Sequence, residues 1–192
     1  SVTGDNVQRN EYLWELLSRA KSGETIAFNE FFSELYTPVY RYLLIRLKHK
    51  ETAEDCAQIT FSKVFQHIQK IEETVSSPLQ YLFTVARNTL IDEKRKKQAE
   101  TVPDELWGTF ISEENTEKTV ENQLLYVSIL ESLEEFEDEE KDLLTFRLLE
   151  NLSHAEIAEM LEKSDVSVRK AFSRALEKLR VSLKNKGIDY EI

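Results

Sequence analysis

Turn-forming residues are scarce in this chain, whose 192 residues include only four glycines and three prolines. Average proteins contain about 7% glycine and about 5% proline. A β-sandwich or barrel needs a turn about every 8–12 residues, so a fold with many strands is disfavoured. Hydrophobic residues still make up 41% of the chain, which is enough to bury a core. The sequence therefore predicts an all-α protein.

The acidic residues are concentrated in the middle of the chain. The net charge is −11, yet residues 99–140 hold 14 acidic residues against one basic residue, and the blocks on either side each carry +1. Basic residues gather in 94–97 and 163–186, and such local clusters, rather than total charge, govern contact with DNA phosphates. For a single cluster, an exposed helix face would be the favoured explanation. We predict two small helical domains joined by an acidic linker, at residues 1–98, 119–192 and 99–118 respectively.

Motifs for catalysis or metal binding are missing from the sequence. The lone cysteine, Cys56, excludes an internal disulfide, and the three histidines are not at metal-ligand spacing. We therefore predict no catalytic residue, metal or cofactor, and expect His154 to be exposed or near a phosphate. No signal peptide and no apolar run of about 18 residues is present. A cytoplasmic protein without membrane insertion is the expectation.

Apolar residues at helical spacing predict the helices of the first domain. One helix is expected over 25–36, and a second is expected to open at Pro38, where a missing N–H costs nothing. Thr52 and Asp55 resemble a capping pair for a further helix over 53–69. Apolar residues do not recur at a regular spacing in the acidic linker. Those that are present could dock on a domain; they are Leu106, Trp107, Phe110 and Ile111.

A helical hairpin is the sharpest local feature of the second domain. Ser153 and Glu156 form a capping box, and the four residues 162–165 allow only a tight turn before a second helix that begins at Ser164 or Asp165. A helix-turn-helix places such a second helix in the major groove. The alternative is an ordinary hairpin with a basic surface. The exposed side of the second helix is predicted to carry Ser167, Arg169, Lys170, Ser173, Arg174 and Lys178.

Two polar faces stand out in the first domain. Asp55, Gln58 and Ser62 lie three and four residues apart, so they share one side of a helix. Further along, an aromatic residue precedes basic and amide residues on a second helix, a mixture suited to stacking and holding single-stranded DNA. These residues are Tyr81, Arg87, Asn88 and Arg95.

Taken in order, these stretches resemble the extracytoplasmic-function class of bacterial sigma factors. The motif AED-x-x-Q-x-x-F of their region 2 is matched by Ala53-Glu54-Asp55, Gln58 and Phe61, and a later series by Tyr81-Leu82, Val85-Ala86-Arg87-Asn88, Asp92 and Arg95. Their region 4 motifs are matched by Leu152-Ser153, Glu156-Ile157-Ala158, Leu161, Ser164, Val168-Arg169, Arg174-Ala175-Leu176 and Leu179-Arg180. The resemblance covers residues 25–98 and 120–184.

The resemblance implies a promoter-specificity subunit of RNA polymerase that serves a stress or envelope regulon. It implies that the face of Asp55, Gln58 and Ser62 docks on the polymerase core, and that the acidic linker runs near the RNA exit path. The melted minus-ten strand is then expected to contact Ser76, Ser77, Tyr81, Arg87, Asn88, Lys94 and Arg95. The minus-thirty-five duplex is expected to contact Ser167, Arg169, Lys170, Ser173, Arg174 and Lys178. Promoter DNA, the polymerase core and an anti-sigma factor are the implied partners.

Some positions differ from the family pattern, and two other readings stay open. Glu162-Lys163 stands where Gly-Ile is common, which removes an easy left-handed residue from the turn. Ala171 stands where Arg is frequent, and Tyr81 replaces the commoner Trp. The first alternative is a helix-turn-helix regulator that binds DNA on its own, with the first domain serving for dimerisation or sensing. The domains could also pack together in an inhibited state, which the sequence does not decide.

Overall fold

The computed structural model describes residues 2–71, 77–93, 101–111 and 117–190. Within those ranges every regular element is helical, which confirms the predicted all-α class. The α-helices are α1 Val2–Lys21, α2 Thr25–Leu47, α3 Lys50–Gln66, α4 Pro78–Glu93, α5 Asp104–Gly108, α6 Glu117–Leu133, α7 Asp138–Leu144, α8 His154–Leu161 and α9 Asp165–Asn185. Helices α1 to α4 form a first lobe, α6 to α9 form a second, and one apolar core runs through both.

Helix α2 is continuous through Pro38, so the predicted break into two helices is wrong. Proline in a helix interior lacks the donor for the preceding turn and ordinarily disrupts it. Here Leu35 and Val39 on either side are buried, as are most residues that follow. This burial holds the helix together across the proline, because packing outweighs local propensity.

Helix α3 begins three residues earlier than the predicted capping pair indicated. His49, and not Thr52, is the capping residue: its Nδ1 accepts a hydrogen bond from the backbone N–H of Thr52 at 3.2 Å. Lys48, in the left-handed region at φ 54°, turns the chain between α2 and α3. The predicted helix to residue 69 stops at Gln66, and Ile68–Lys70 form a separate 3₁₀ turn.

Of the predicted linker, the structure describes residues 101–111, which contain the short helix α5, and residues 117–118, where α6 begins. Trp107 of α5 is completely buried, and the indole Nε1 donates to Glu134 Oε1 of the second lobe at 2.6 Å. Phe110 lies against Tyr40 of the first lobe, with 5.9 Å between ring centroids. The linker's aromatic residues therefore dock, and they touch both lobes. The exact domain boundaries stay a prediction.

The hairpin α8–α9 has the predicted caps. Glu156 N–H donates to Ser153 Oγ at 3.0 Å, and Ser153 N–H donates to Glu156 Oε1 at 3.2 Å. Ser164, one of the two predicted candidates, caps α9. Glu162 takes the left-handed conformation at φ 55°, so the turn keeps its geometry without a glycine.

Helix α7 passes directly into a π-helical turn, Thr145–Leu149. Wider turns of this kind are often found at functional positions. The backbone N–H of Glu150 donates five residues back, to Thr145 O, at 3.1 Å. Both Phe146 and Glu150 are buried, so the turn places an aromatic ring and a carboxylate inside the molecule.

Glu162→Gly is expected to stabilise the protein by roughly 0.5–1 kcal/mol, because a left-handed residue with a side chain is strained and glycine is not. The Glu162 side chain is exposed, so replacing it with glycine removes no buried contact. Urea unfolding measures the difference. Glu177→Gly, at an exposed position inside α9, is the control and should cost about 1 kcal/mol. Equal destabilisation by both substitutions would show that Glu162 is unstrained.

Candidate nucleic-acid interface

Helix α9 presents a basic surface to solvent. Its inner side is buried through Val168, Ala175, Leu176, Leu179 and Leu183. All six predicted minus-thirty-five residues are exposed on the outer side; they are Ser167, Arg169, Lys170, Ser173, Arg174 and Lys178. Lys178 Nζ forms an ion pair with Glu140 Oε2 at 2.8 Å. An exposed basic helix that follows a tight turn can enter a DNA groove.

The polar face of α3 is also open to solvent. Asp55, Gln58 and Ser62 are all exposed, and they line one shallow groove of about 590 Å³. Ile59, which is 37% exposed, lies in the same groove. The sequence analysis did not identify Ile59, although its spacing of four from Asp55 places it near the same side of the helix. The structure thus brings the predicted residues together around an exposed apolar side chain.

The predicted minus-ten residues of α4 are mostly covered. Ser77 is buried, Tyr81 and Arg87 are half-buried, and Asn88 is exposed. The last three line a cleft of about 550 Å³ whose opposite wall belongs to α8. The other three predicted minus-ten residues lie outside the described residues; they are Ser76, Lys94 and Arg95.

A buried carboxylate of the second lobe holds Arg87. Asp142, at the end of α7, is 2% exposed. Its Oδ2 accepts from Arg87 Nε at 3.1 Å, and its Oδ1 accepts from Arg46 Nη1 at 2.5 Å and from the Tyr42 hydroxyl at 3.0 Å. Burial, and after it the Asp142 carboxylate, raises the pKa of Tyr42 well above its usual value. Sequence reasoning missed Asp142, because its partners lie far away along the chain.

Helix α8 covers the beginning of α4. Ser77 Oγ donates to Glu156 Oε2, and it also caps α4 by accepting from the N–H of Gln80 at 3.0 Å. The Gln80 amide donates to Glu156 O and to Glu159 Oε2, both at 3.1 Å. The face that holds these donors is therefore occupied by carboxylate and carbonyl oxygens of the second lobe.

A second buried ion pair joins the lobes beside the first. Arg41 Nη2 on α2 donates to Glu150 Oε1 after the π-helical turn, and Arg41 Nη1 donates to the Tyr126 hydroxyl at 2.6 Å. Glu150 is 2% exposed. A buried ion pair costs desolvation, so it contributes little net stability but penalises strongly any arrangement that leaves one partner alone.

His154 packs against helix α9 and is half-buried, so it is less exposed than predicted. Its ring meets that of Phe172 edge-on, with 5.5 Å between centroids. Burial, followed by the charges of Arg147 and Arg169, lowers the pKa of His154 below its usual value, against the opposing effect of Asp165. His154 therefore helps to hold α9 in place through its contact with Phe172.

Two further properties bear on the kind of site present. Among the residues that the structure describes, no three His, Cys, Asp or Glu side chains are grouped to hold a metal ion. In the same part of the chain, no helix has the length and apolar character of a membrane span.

Comparison with known proteins assigns both lobes. Residues 31–100 match the family model "Sigma-70 region 2", and residues 126–179 match "Sigma-70, region 4". The extracytoplasmic-function RNA polymerase sigma factor SigM of Bacillus subtilis is 30% identical over 168 residues, which cover 86% of this chain and 100% of SigM. SigL of Mycobacterium tuberculosis, of the same class, is 27% identical over 90% of this chain and 97% of SigL.

A solved structure has a similar fold. CnrH, in its complex with the cytosolic domain of CnrY, superposes with a TM-score of 0.63 over 88% of this chain and 96% of its own. The two sequences are 16% identical, so this similarity concerns the fold alone.

Acidification is expected to destabilise the protein through His154. Because its pKa is lowered in the folded state, the unfolded chain binds the proton first, and stability is lost as the pH falls below about 6.5. Urea unfolding at pH 7.5 and pH 5.5 should show a smaller loss for His154→Gln than for the natural chain. His67→Gln, at an exposed histidine, should behave like the natural chain. Equal losses for all three proteins would exclude His154 as the source.

Proposed function

Because this chain belongs to the extracytoplasmic-function sigma factors, we propose that its three polar faces divide the work of promoter recognition. The α3 groove around Asp55, Gln58 and Ser62 docks on core polymerase. The α4 face with Ser77, Tyr81, Arg87 and Asn88, together with Ser76, Lys94 and Arg95, holds the melted minus-ten strand. The basic side of α9 reads the minus-thirty-five duplex through Ser167, Arg169, Lys170, Ser173, Arg174 and Lys178.

The observation that carries this proposal is the exposure of two separate faces on the two matched regions. A groove that mixes carboxylate, amide and one apolar residue suits a protein partner, because interface centres are partly apolar with polar rims. A helix with exposed arginines and lysines suits DNA, where Arg pairs with guanine and Lys contacts phosphate. The α3 groove has the mixed polar and apolar lining that suits a protein partner. The α9 surface has the exposed arginines and lysines that suit DNA.

A stand-alone helix-turn-helix regulator is not favoured. Such a protein needs a DNA-reading hairpin but has no need of a region 2, whereas residues 31–100 match that region and the similarity to SigM extends over its whole length. A sigma factor, in contrast, uses both region 2 and region 4, and this chain matches both.

We further propose that the protein has no catalytic activity of its own, works in the cytoplasm where polymerase and promoters are found, and is controlled by an anti-sigma factor. The similarly folded CnrH was solved with the cytosolic domain of another protein, CnrY, which supports a protein partner here. Co-purification of the tagged chain from its natural host tests this part. Recovery of polymerase without any stoichiometric inhibitor under non-inducing conditions would contradict it.

The double substitution Asp55→Ala with Gln58→Ala is expected to weaken binding to core polymerase at least tenfold while leaving helicity unchanged, because both side chains are exposed and support no packing. Titration of labelled protein with core enzyme measures the effect. Gln8→Ala with Glu11→Ala is a matched control, because it removes an exposed amide and an exposed acid three residues apart on α1. Equal affinity of the two double variants would remove the docking role from α3.

Arg174→Ala is expected to weaken binding of the minus-thirty-five duplex by about 1–3 kcal/mol if its guanidinium reads a base. The measurement is competition between the promoter duplex and a scrambled duplex. Lys184→Ala, which removes an exposed charge near the end of the same helix, is the control and should weaken both duplexes equally. The same uniform loss for Arg174→Ala would make it a phosphate contact.

A further inference from the structure

An exposed apolar side chain stands at the start of helix α9, among the polar residues assigned to duplex DNA. Val166, the second residue of the helix, is 61% exposed. We propose that Val166 contacts the 5-methyl group of a thymine in the minus-thirty-five element and so selects thymine at one position of that element. This inference rests on the proposed role of α9 and adds a residue to the six assigned to that duplex.

Packing within the protein does not explain a valine at this position. As far as the structure describes the chain, the apolar core and the side chains packed against it do not include Val166. Valine also forms helices less readily than alanine, because its branched Cβ restricts the side-chain rotamer. Neither burial nor helix propensity therefore accounts for Val166, whereas contact with an apolar group of a ligand does.

The first turn of α9 fixes the direction of the Val166 side chain. Ser164 Oγ accepts from the backbone N–H of Ser167 at 3.2 Å, and the buried Val168 anchors the turn in the core. With 3.6 residues per turn, Val166 lies about 160° around the helix axis from Val168, so it points away from the core. Helical Cβ atoms also tilt toward the N-terminus. The methyl groups of Val166 therefore project at the end of the helix from which base contacts are made in a helix-turn-helix.

The neighbours of Val166 indicate that its apolar contact belongs to DNA. Lys170 and Ser173 follow it by four and seven residues, so the three side chains share one side of α9, and all are exposed. A cation and a hydroxyl beside an apolar group match the major groove, where phosphates flank the base edges. Among the four bases, thymine alone presents a methyl group there.

Contact between two methyl-bearing groups makes a specific prediction about discrimination. Both the thymine methyl group and the Val166 side chain leave water when the helix enters the groove, which is favourable. Uracil pairs with adenine as thymine does and lacks only the methyl group. Removing the methyl group from the base, or shortening Val166, should therefore abolish the same contact, and the two changes together should cost no more than either one.

The test replaces thymines by deoxyuridine, one at a time and on both strands, in the minus-thirty-five element of a promoter mapped by in vitro transcription with this protein. Holoenzyme reconstituted with core polymerase binds labelled promoter duplex in competition with each substituted duplex. One substitution should weaken binding of the natural holoenzyme about threefold to fivefold, which is the effect of one buried methyl group. Holoenzyme with Val166→Ala should bind that substituted duplex and the unsubstituted one equally well.

Val181→Ala is the matched control for this experiment. Val181 is also an exposed valine of α9, at 52% exposure, but it lies about 22 Å further along the helix axis. Holoenzyme with Val181→Ala should respond to deoxyuridine as the natural holoenzyme does. Loss of the response in both variants would overturn the assignment to Val166.

Three other results would also overturn the inference. The first is a response to deoxyuridine that is the same in natural and Val166→Ala holoenzyme, because the methyl group would then act through DNA shape. The second is the absence of any response in the natural holoenzyme. The third is weaker binding of Val166→Ala to core polymerase with an unchanged thymine preference, which would assign the side chain to a protein contact. A natural holoenzyme that does not distinguish the promoter from one with a scrambled minus-thirty-five element would count against the proposed function of α9 itself.

Discussion

The buried carboxylate of Asp142 is the interaction on which the arrangement of the molecule depends. It accepts hydrogen bonds from Tyr42, Arg46 and Arg87, all of them in the other lobe. Arg46 is 7% exposed. Removing Asp142 would leave the buried charge of Arg46 with only the more distant carboxylate of Asp138, 3.5 Å from its Nε, which is unfavourable. The contacts of Asp142 therefore favour this one relative position of the lobes.

Ion pairs within the molecule help to explain why acidic residues are concentrated in the middle of the chain. Several acidic residues at or near this segment face the first lobe or the basic hairpin: Asp142 and Glu150 meet arginines of the first lobe, while Glu139 and Glu140 meet Lys163 and Lys178. Part of the −11 net charge thus serves internal pairing. The basic side of α9 keeps most of its charge exposed and available for DNA.

Local features were predictable from the sequence, and contacts between distant segments were not. The capping box of Ser153 and Glu156 and the inner face of α9 follow from spacing within one turn. Asp142 lies 96 residues from Arg46 and 55 from Arg87, and no periodicity links such positions. The continuity of α2 through Pro38 has the same origin, because burial in the assembled core overrides a local helix-breaking signal. The faces assigned to polymerase and duplex DNA were predicted as helix surfaces, but which face the second lobe covers depends on tertiary packing alone.

The distance between the lobes in solution tests the account most directly. Spin labels at Lys70→Cys and Lys184→Cys, two exposed positions in different lobes, can be introduced in a Cys56→Ala background and measured by double electron–electron resonance. The account predicts one narrow distance distribution for the free protein, because the buried contacts of Asp142 join the lobes. A broad distribution for the free protein would contradict it.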